Sequence, residues 1–199
     1  MKKIIILSLM AIQTLFCFSE TVVAQYQANG KSFNIEADYN KNNILKVYIK
    51  IYPGDNYVMY LGLDNEDEVK VFRNKILSII EKYKEWSTTA RTNNVTDFIK
   101  EFPITFESIN VIWKTYSGGD YNFAFDQTLQ SIFSVNKDGS HEIFISKLNV
   151  KSSDNEYITC DAFTFFRSVE ELKSLYNALD LNKIKNKLNN KTNVDDLFN

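Results

Sequence analysis

Hydrophobic and polar residues alternate most cleanly over residues 45–52. Leu45, Val47, Ile49 and Ile51 share one parity, and Lys46, Tyr48, Lys50 and Tyr52 share the other. Successive side chains of a strand point to opposite faces, so this pattern predicts a strand with one buried face. Residues 32–38 alternate more weakly, and residues 40–43 form the turn between the two. Pro53-Gly54-Asp55-Asn56 punctuates the next turn, and residues 57–63 read as a third strand.

The period then changes. Val69, Phe72, Ile76, Ile79, Ile80 and Tyr83 recur at intervals of three and four, which is one stripe of an amphipathic helix. Asn65 and Glu68 have capping-box spacing, and Glu66 and Asp67 are acids that favour the positive end of the helix dipole. The stripe must lie on an apolar surface, and the preceding strands offer one. Residues 86–94 lose the period and are rich in Ser, Thr and Asn, which reads as a linker loop. Residues 97–102 read as a short helix stopped before Pro103.

Strands return in the second half, over residues 104–116, 121–135, 142–150 and 157–166. Ser117-Gly118-Gly119-Asp120 and Asn136-Lys137-Asp138-Gly139 supply turns, since glycine takes the positive φ that tight loops need. Along 121–135, Tyr121, Phe123, Phe125, Leu129, Phe133 and Val135 fall on a single parity. Ser168 and Glu171 form a second capping box, followed by the stripe Val169, Leu172, Leu175, Tyr176 and Leu179. A further turn or two runs through Ile184 and Leu188, and residues 189–199 read as a flexible polar tail. The order is β-β-β-α, then β-β-β-β-α. Short turns favour antiparallel pairing, so the fold class is α+β: a mainly antiparallel sheet with two amphipathic helices packed on it. Each half ends in a strand, a capping box and a helix, which suggests a weak internal duplication.

The first residues follow a different grammar. Lys2 and Lys3 precede an apolar run from Ile4 to Phe18, and Val22-Val23-Ala24 places small residues before Gln25. That is the layout of a secretory signal peptide, with the cut expected between Ala24 and Gln25. Gln13, Thr14 and Glu20 make the run a poor membrane anchor. Phe16 before Cys17 argues against a lipid-modified cysteine. Residues 1–24 are therefore expected as a cleaved leader, 25–188 as a single domain, and the mature protein as periplasmic or extracellular, without stable membrane insertion.

Composition narrows the function classes. About 175 residues remain after the cut, enough for one well-buried core. Glycine and proline are scarce and aromatics plentiful, so the chain folds. Removing two lysines and one glutamate from 23 basic and 25 acidic residues leaves a formal charge of −3. That charge has no basic block to attract nucleic acid. Cys160 becomes the only cysteine, which rules out an intramolecular disulfide.

Catalytic motifs are missing from the sequence. One histidine, His141, follows a hairpin turn and is expected to be exposed, and no Gly-x-Ser-x-Gly elbow accompanies it. One histidine and one distant cysteine do not build a zinc site, so no metal and no cofactor is expected. Asp64-Asn65-Glu66-Asp67-Glu68 lacks the spaced oxygens and glycine of a calcium loop and is explained as a helix start. Cys160, in a strand of alternating character, reads as a packing residue.

Aromatics near turns are the remaining clue. Trp113, Tyr116, Asp120 and Tyr121 surround one turn, and Tyr57 joins Tyr48, Tyr52 and Tyr60 around another. Apolar rings with polar tips suit surfaces that contact proteins, peptides or glycans. The expected function is an exported binding protein. The alternatives are a hydrolase or lyase using carboxylates and tyrosines, or a structural component of the cell envelope. With one mature cysteine, a reducing agent should leave the melting temperature of the monomer unchanged, which a thermal scan at low protein concentration checks.

Overall fold

The computed structural model describes residues 21–52 and 56–195, with side chains to residue 190. Eight strands form one sheet in chain order, and every neighbouring pair is antiparallel. The first four are β1 (Thr21–Ala28), β2 (Lys31–Tyr39), β3 (Leu45–Ile51) and β4 (Tyr57–Leu63). Helix α1 (Glu66–Thr92) follows. Strands β5 (Phe98–Thr115), β6 (Asn122–Val135), β7 (His141–Lys151) and β8 (Thr159–Phe166) complete the sheet, and α2 (Val169–Ala178) and α3 (Leu181–Asp195) close the chain. The β1–β2 link shows why sequence neighbours pair. Asn29 and Gly30 sit at φ 50° and 69°, the left-handed pair that a two-residue hairpin requires.

One face of the sheet carries the core. Ile35, Val47, Ile49, Leu61, Val111, Leu129, Ile143 and Ala162 are all essentially inaccessible and come from seven strands. The stripe of α1 lies over them, with the Phe72 ring tilted against Phe106 at 4.5 Å and Tyr83 edge-on to Phe133 at 5.8 Å. Arg73 of α1 holds α2 by donating to the Tyr176 carbonyl (3.0 Å) and lying 4.1 Å over the Tyr176 ring.

The sheet curves until its first and last strands approach. Tyr26 of β1 lies 6.4 Å from Phe166 of β8, and its hydroxyl donates to the Lys50 carbonyl of β3 (2.8 Å). Helix α2 then covers the free edge of β1. Ser174 Oγ accepts from the Gln27 amide at 2.8 Å. The Glu171 carboxylate accepts from the amides of Asn29 (3.1 Å), Gly30 (2.7 Å) and Arg167 (2.7 Å). An uncovered strand edge invites pairing with another chain, and these contacts shield this one.

The structure corrects the sequence reading at five places. A strand, β1, precedes the three that were expected, so four strands precede the helix in each half, and the second half adds α3. Helix α1 continues through residues 86–92 because Ser87 and Ala90 extend its buried stripe with small residues. Residues 98–102 are strand, not helix, since β5 pairs Phe98 with Val135 and Glu101 with Ile132. Helix α3 runs to Asp195, beyond the expected start of a flexible tail at residue 189, anchored by buried Ile184 and Leu188. The single parity along 121–135 breaks at Asp126, whose φ of 53° accompanies a register shift. Leu129, Phe133 and Val135 point to the core, while Phe123 and Phe125 point away from it. A bulge inserts one residue and so exchanges the faces of everything beyond it. Residues 1–20 of the expected leader and most of the turn at 53–56 lie outside the described residues, whereas Thr21–Ala24 belong to β1.

Ile76 is fully buried and its neighbour Leu77 is 38% exposed. Ile76→Ala should therefore cost about 2–5 kcal/mol in chemical denaturation and Leu77→Ala about 0.5 kcal/mol or less.

Candidate binding surface

Side chains on the second face of the sheet alternate with those of the core. A row crosses four strands through the pairs Lys50↔Tyr60, Tyr60↔Ile112 and Ile112↔Phe123. A second row crosses three through Ile132↔Phe144 and Phe144↔Phe165. The rings stack along the surface: Phe144 on Phe165 at 5.5 Å, and Phe123 on Phe125 at 6.2 Å. Tyr60 and Ile112 are buried yet stand apart from the main core, so this face has a small apolar cluster of its own. The helices pack on the opposite face. Phe125 and Leu148 remain 56% and 68% exposed. A sheet face turned to water usually reads polar; this one sets rings at Tyr60, Phe123, Phe144 and Phe165 among its polar groups.

Polar groups are interleaved with the rings. Glu36 pairs across the sheet with Tyr48, and Tyr48 with Gly62. Burial raises the Glu36 carboxyl above its usual range, opposed by the Lys50 charge and by hydrogen bonds from Asn34 and Tyr60. Gly62 lets the strands approach closely: a Cβ there would sit 3.3 Å from the Cβ of Asn110, which would have to give by a few tenths of an ångström. Asn110 Nδ2 donates to Asp64 (2.8 Å), which also pairs with Lys46 at 3.1 Å.

Three of the five residues singled out by sequence, Tyr116, Asp120 and Tyr121, stand around one turn at the end of this sheet, whereas Tyr57 shares the parity of Met59 and packs against the core. Tyr57 pairs with Thr115, and the Tyr116 amide donates to the Asn56 carbonyl (3.0 Å). Lys114 Nζ lies 4.5 Å over the Tyr121 ring, and Tyr116 and Asp120 are exposed. Trp113 does not join them. It pairs with Met59 on the core face and is 1% exposed. The signal was present in the sequence, because Ile109, Val111 and Trp113 alternate as one apolar set. The outer rings Phe144, Phe163 and Phe165 were missed, although Phe163 and Phe165 stand on the parity opposite to Cys160, Ala162 and Phe166.

The chemistry of the other candidates is occupied. A groove of about 500 Å³ lies between the start of α1 and β5, floored by Phe72, Phe106 and Ile109. Its Lys75 and Glu107 pair with each other, and Lys75 and Thr105 together hold the Glu107 carboxyl down at about 2. Glu68, also on the groove, accepts from the Asp64 amide and Asn65 Nδ2, both at 2.7 Å, as a helix cap. In the acidic run, Glu66 pairs with Lys185 (2.7 Å) and Asp67 with Lys70 (2.8 Å). Cys160 is buried, and burial with the nearby Asp161 charge pushes its thiol up to about 12, which suppresses thiolate reactivity.

His141 is not the exposed turn residue expected. It begins β7 on the core parity and packs 5.4 Å from the Phe133 ring and 6.3 Å from Tyr83. No protein-family model, curated protein or solved structure matches the chain.

Burial, with a smaller contribution from the Arg91 charge, lowers the His141 pKa below its ordinary 6.5. The unfolded chain then takes up a proton that the folded chain refuses. Stability from this group is complete above pH 6.5 and should fall as pH drops below that value toward the lowered folded pKa. His141→Phe should flatten that part of a denaturation-versus-pH curve.

Proposed function

We propose that this is an exported binding protein whose contact surface is the outer face of the sheet, joined to the turn end that carries Tyr116, Asp120 and Tyr121. The observation that supports it is a face that none of the described helices covers and that carries two stacked ring pairs, with Phe125 and Leu148 well exposed. Contiguous exposed apolar surface rimmed by polar groups marks a place of contact. Rings with interleaved Glu36, Lys50, Asn110 and Lys114 suit a peptide, protein or glycan. They give large contact area at low entropic cost, with polar groups to orient the partner.

The carboxylate–tyrosine enzyme reading has one observation in its favour, the hydrogen bond that joins Tyr60 to the Glu36 carboxyl. The groove lies elsewhere, and its acids are engaged in structural bonds. Binding therefore accounts for more of the surface than catalysis does.

The test is a screen of immobilised extracellular glycans and peptide libraries with the wild-type chain and a Phe125→Ser, Leu148→Ser double variant. Both positions are exposed, so the double variant should melt within a few degrees of wild type. Its affinity for any retained ligand should fall about tenfold or more. Equal binding by both proteins, or no ligand retained at micromolar concentration, would remove this reading.

A further inference from the structure

We propose that the leader is cut between Ser19 and Glu20, five residues before the Ala24–Gln25 bond. The inference rests on the export reading of the first residues and concerns where the folded protein begins. Two sites satisfy the small-residue rule at positions −3 and −1 of the cut. One is Val22-Val23-Ala24, and the other is Cys17-Phe18-Ser19, which closes directly on the apolar run ending at Phe18. Ala24 is the smaller residue at −1, so sequence alone ranks the later site first.

The fold reverses that ranking. Strand β1 starts at Thr21, and its first half is paired through Thr21↔Ala37, Val22↔Glu36 and Ala24↔Ile35, with a bulge at Val23. Val23 and Ala24 pack against the core. Their β2 partners Ile35 and Ala37 are fully inaccessible. A cut after Ala24 would leave only Gln25–Ala28 of an eight-residue strand. It would also leave the far half of β2 without a strand partner, since the hydrogen bonds from α2 reach only Gln27–Gly30. Processing acts on the unfolded chain, so pairing in β1 does not itself protect the Ala24–Gln25 bond. What the pairing reveals is which residues the folded product uses, and Thr21–Ala24 are among them. A cut after Ser19 removes the whole apolar run, removes Cys17, and leaves β1 intact behind a single Glu20.

The experiment expresses the full chain in a bacterium with a periplasm and reads the N-terminus of the exported form by sequencing and intact mass. Glu20 as first residue is the expected result. Gln25 as first residue overturns the cut and leaves export standing. An intact Met1 overturns export and the cut with it. Ser19→Phe, which puts a bulky residue at position −1 of that cut, should block processing, and unchanged processing of that variant also counts against the proposal. Purified chains that begin at Glu20 and at Gln25 supply an independent readout. The longer should melt higher, by roughly 5 °C or more, and equal melting temperatures would overturn the argument from β1.

Discussion

The inner face of the sheet has to be kept dry, and no disulfide helps among the described residues, whose single cysteine is the free Cys160. Eight strands present a broad apolar surface, and one 27-residue helix covers most of it with a stripe from Val69 to Ala90. Two shorter helices cover the rest. Burial of apolar area is the dominant favourable term in such a fold. The stripe of α1, the ring contacts among Phe72, Phe106, Tyr83 and Phe133, and the burial of His141 all follow from that requirement. His141 lies at the far end of the same covered surface, where a charge is unwelcome.

Curvature creates a second demand. Once the sheet bends far enough to bring β1 near β8, its two edges face a narrow gap instead of a flat solvent boundary. Helix α2 fills it by hydrogen bonding. Glu171 gathers three backbone amides from the β1–β2 turn and the residue before its own helix, and Ser174 accepts a fourth. A residue that the sequence marks only as a helix cap thus also joins the C-terminal helix to the first hairpin. A charge-assisted bond to several amides is a strong local tie, and it holds elements more than 140 residues apart.

With helices on one side only, the other face has a composition that covering does not explain. Tyr60, Ile112 and Phe123 are in register across β4 to β6, Phe144 and Phe165 across β7 and β8, and polar groups sit between them. Bulges at Asp126 and Asn149, both at positive φ, re-aim the strands near Phe125 and Leu148. Bulges of this kind often turn side chains outward at functional edges. This outer face, with the turn end beside it, carries the proposed contact surface.

Much of the architecture was legible from local pattern. The alternation of 45–51, the stripe of 69–83, both capping boxes and the turns at 117–120 and 136–139 determined strand, helix and antiparallel pairing, because period and turn chemistry act within a few residues. The positions of Tyr116, Asp120 and Tyr121 were legible for the same reason, being aromatic or polar residues beside a turn. Tertiary structure decided the rest. Ser87 and Ala90 are helical because packing against the sheet outweighs weak propensity. Phe98–Phe102 is strand because Val135 and its neighbours lie beside it. Trp113 is core and Phe125 surface because a face belongs to the sheet, and a single bulge exchanges it. His141 is buried because α1 and β6 supply Tyr83 and Phe133, residues distant in sequence that no local pattern brings together.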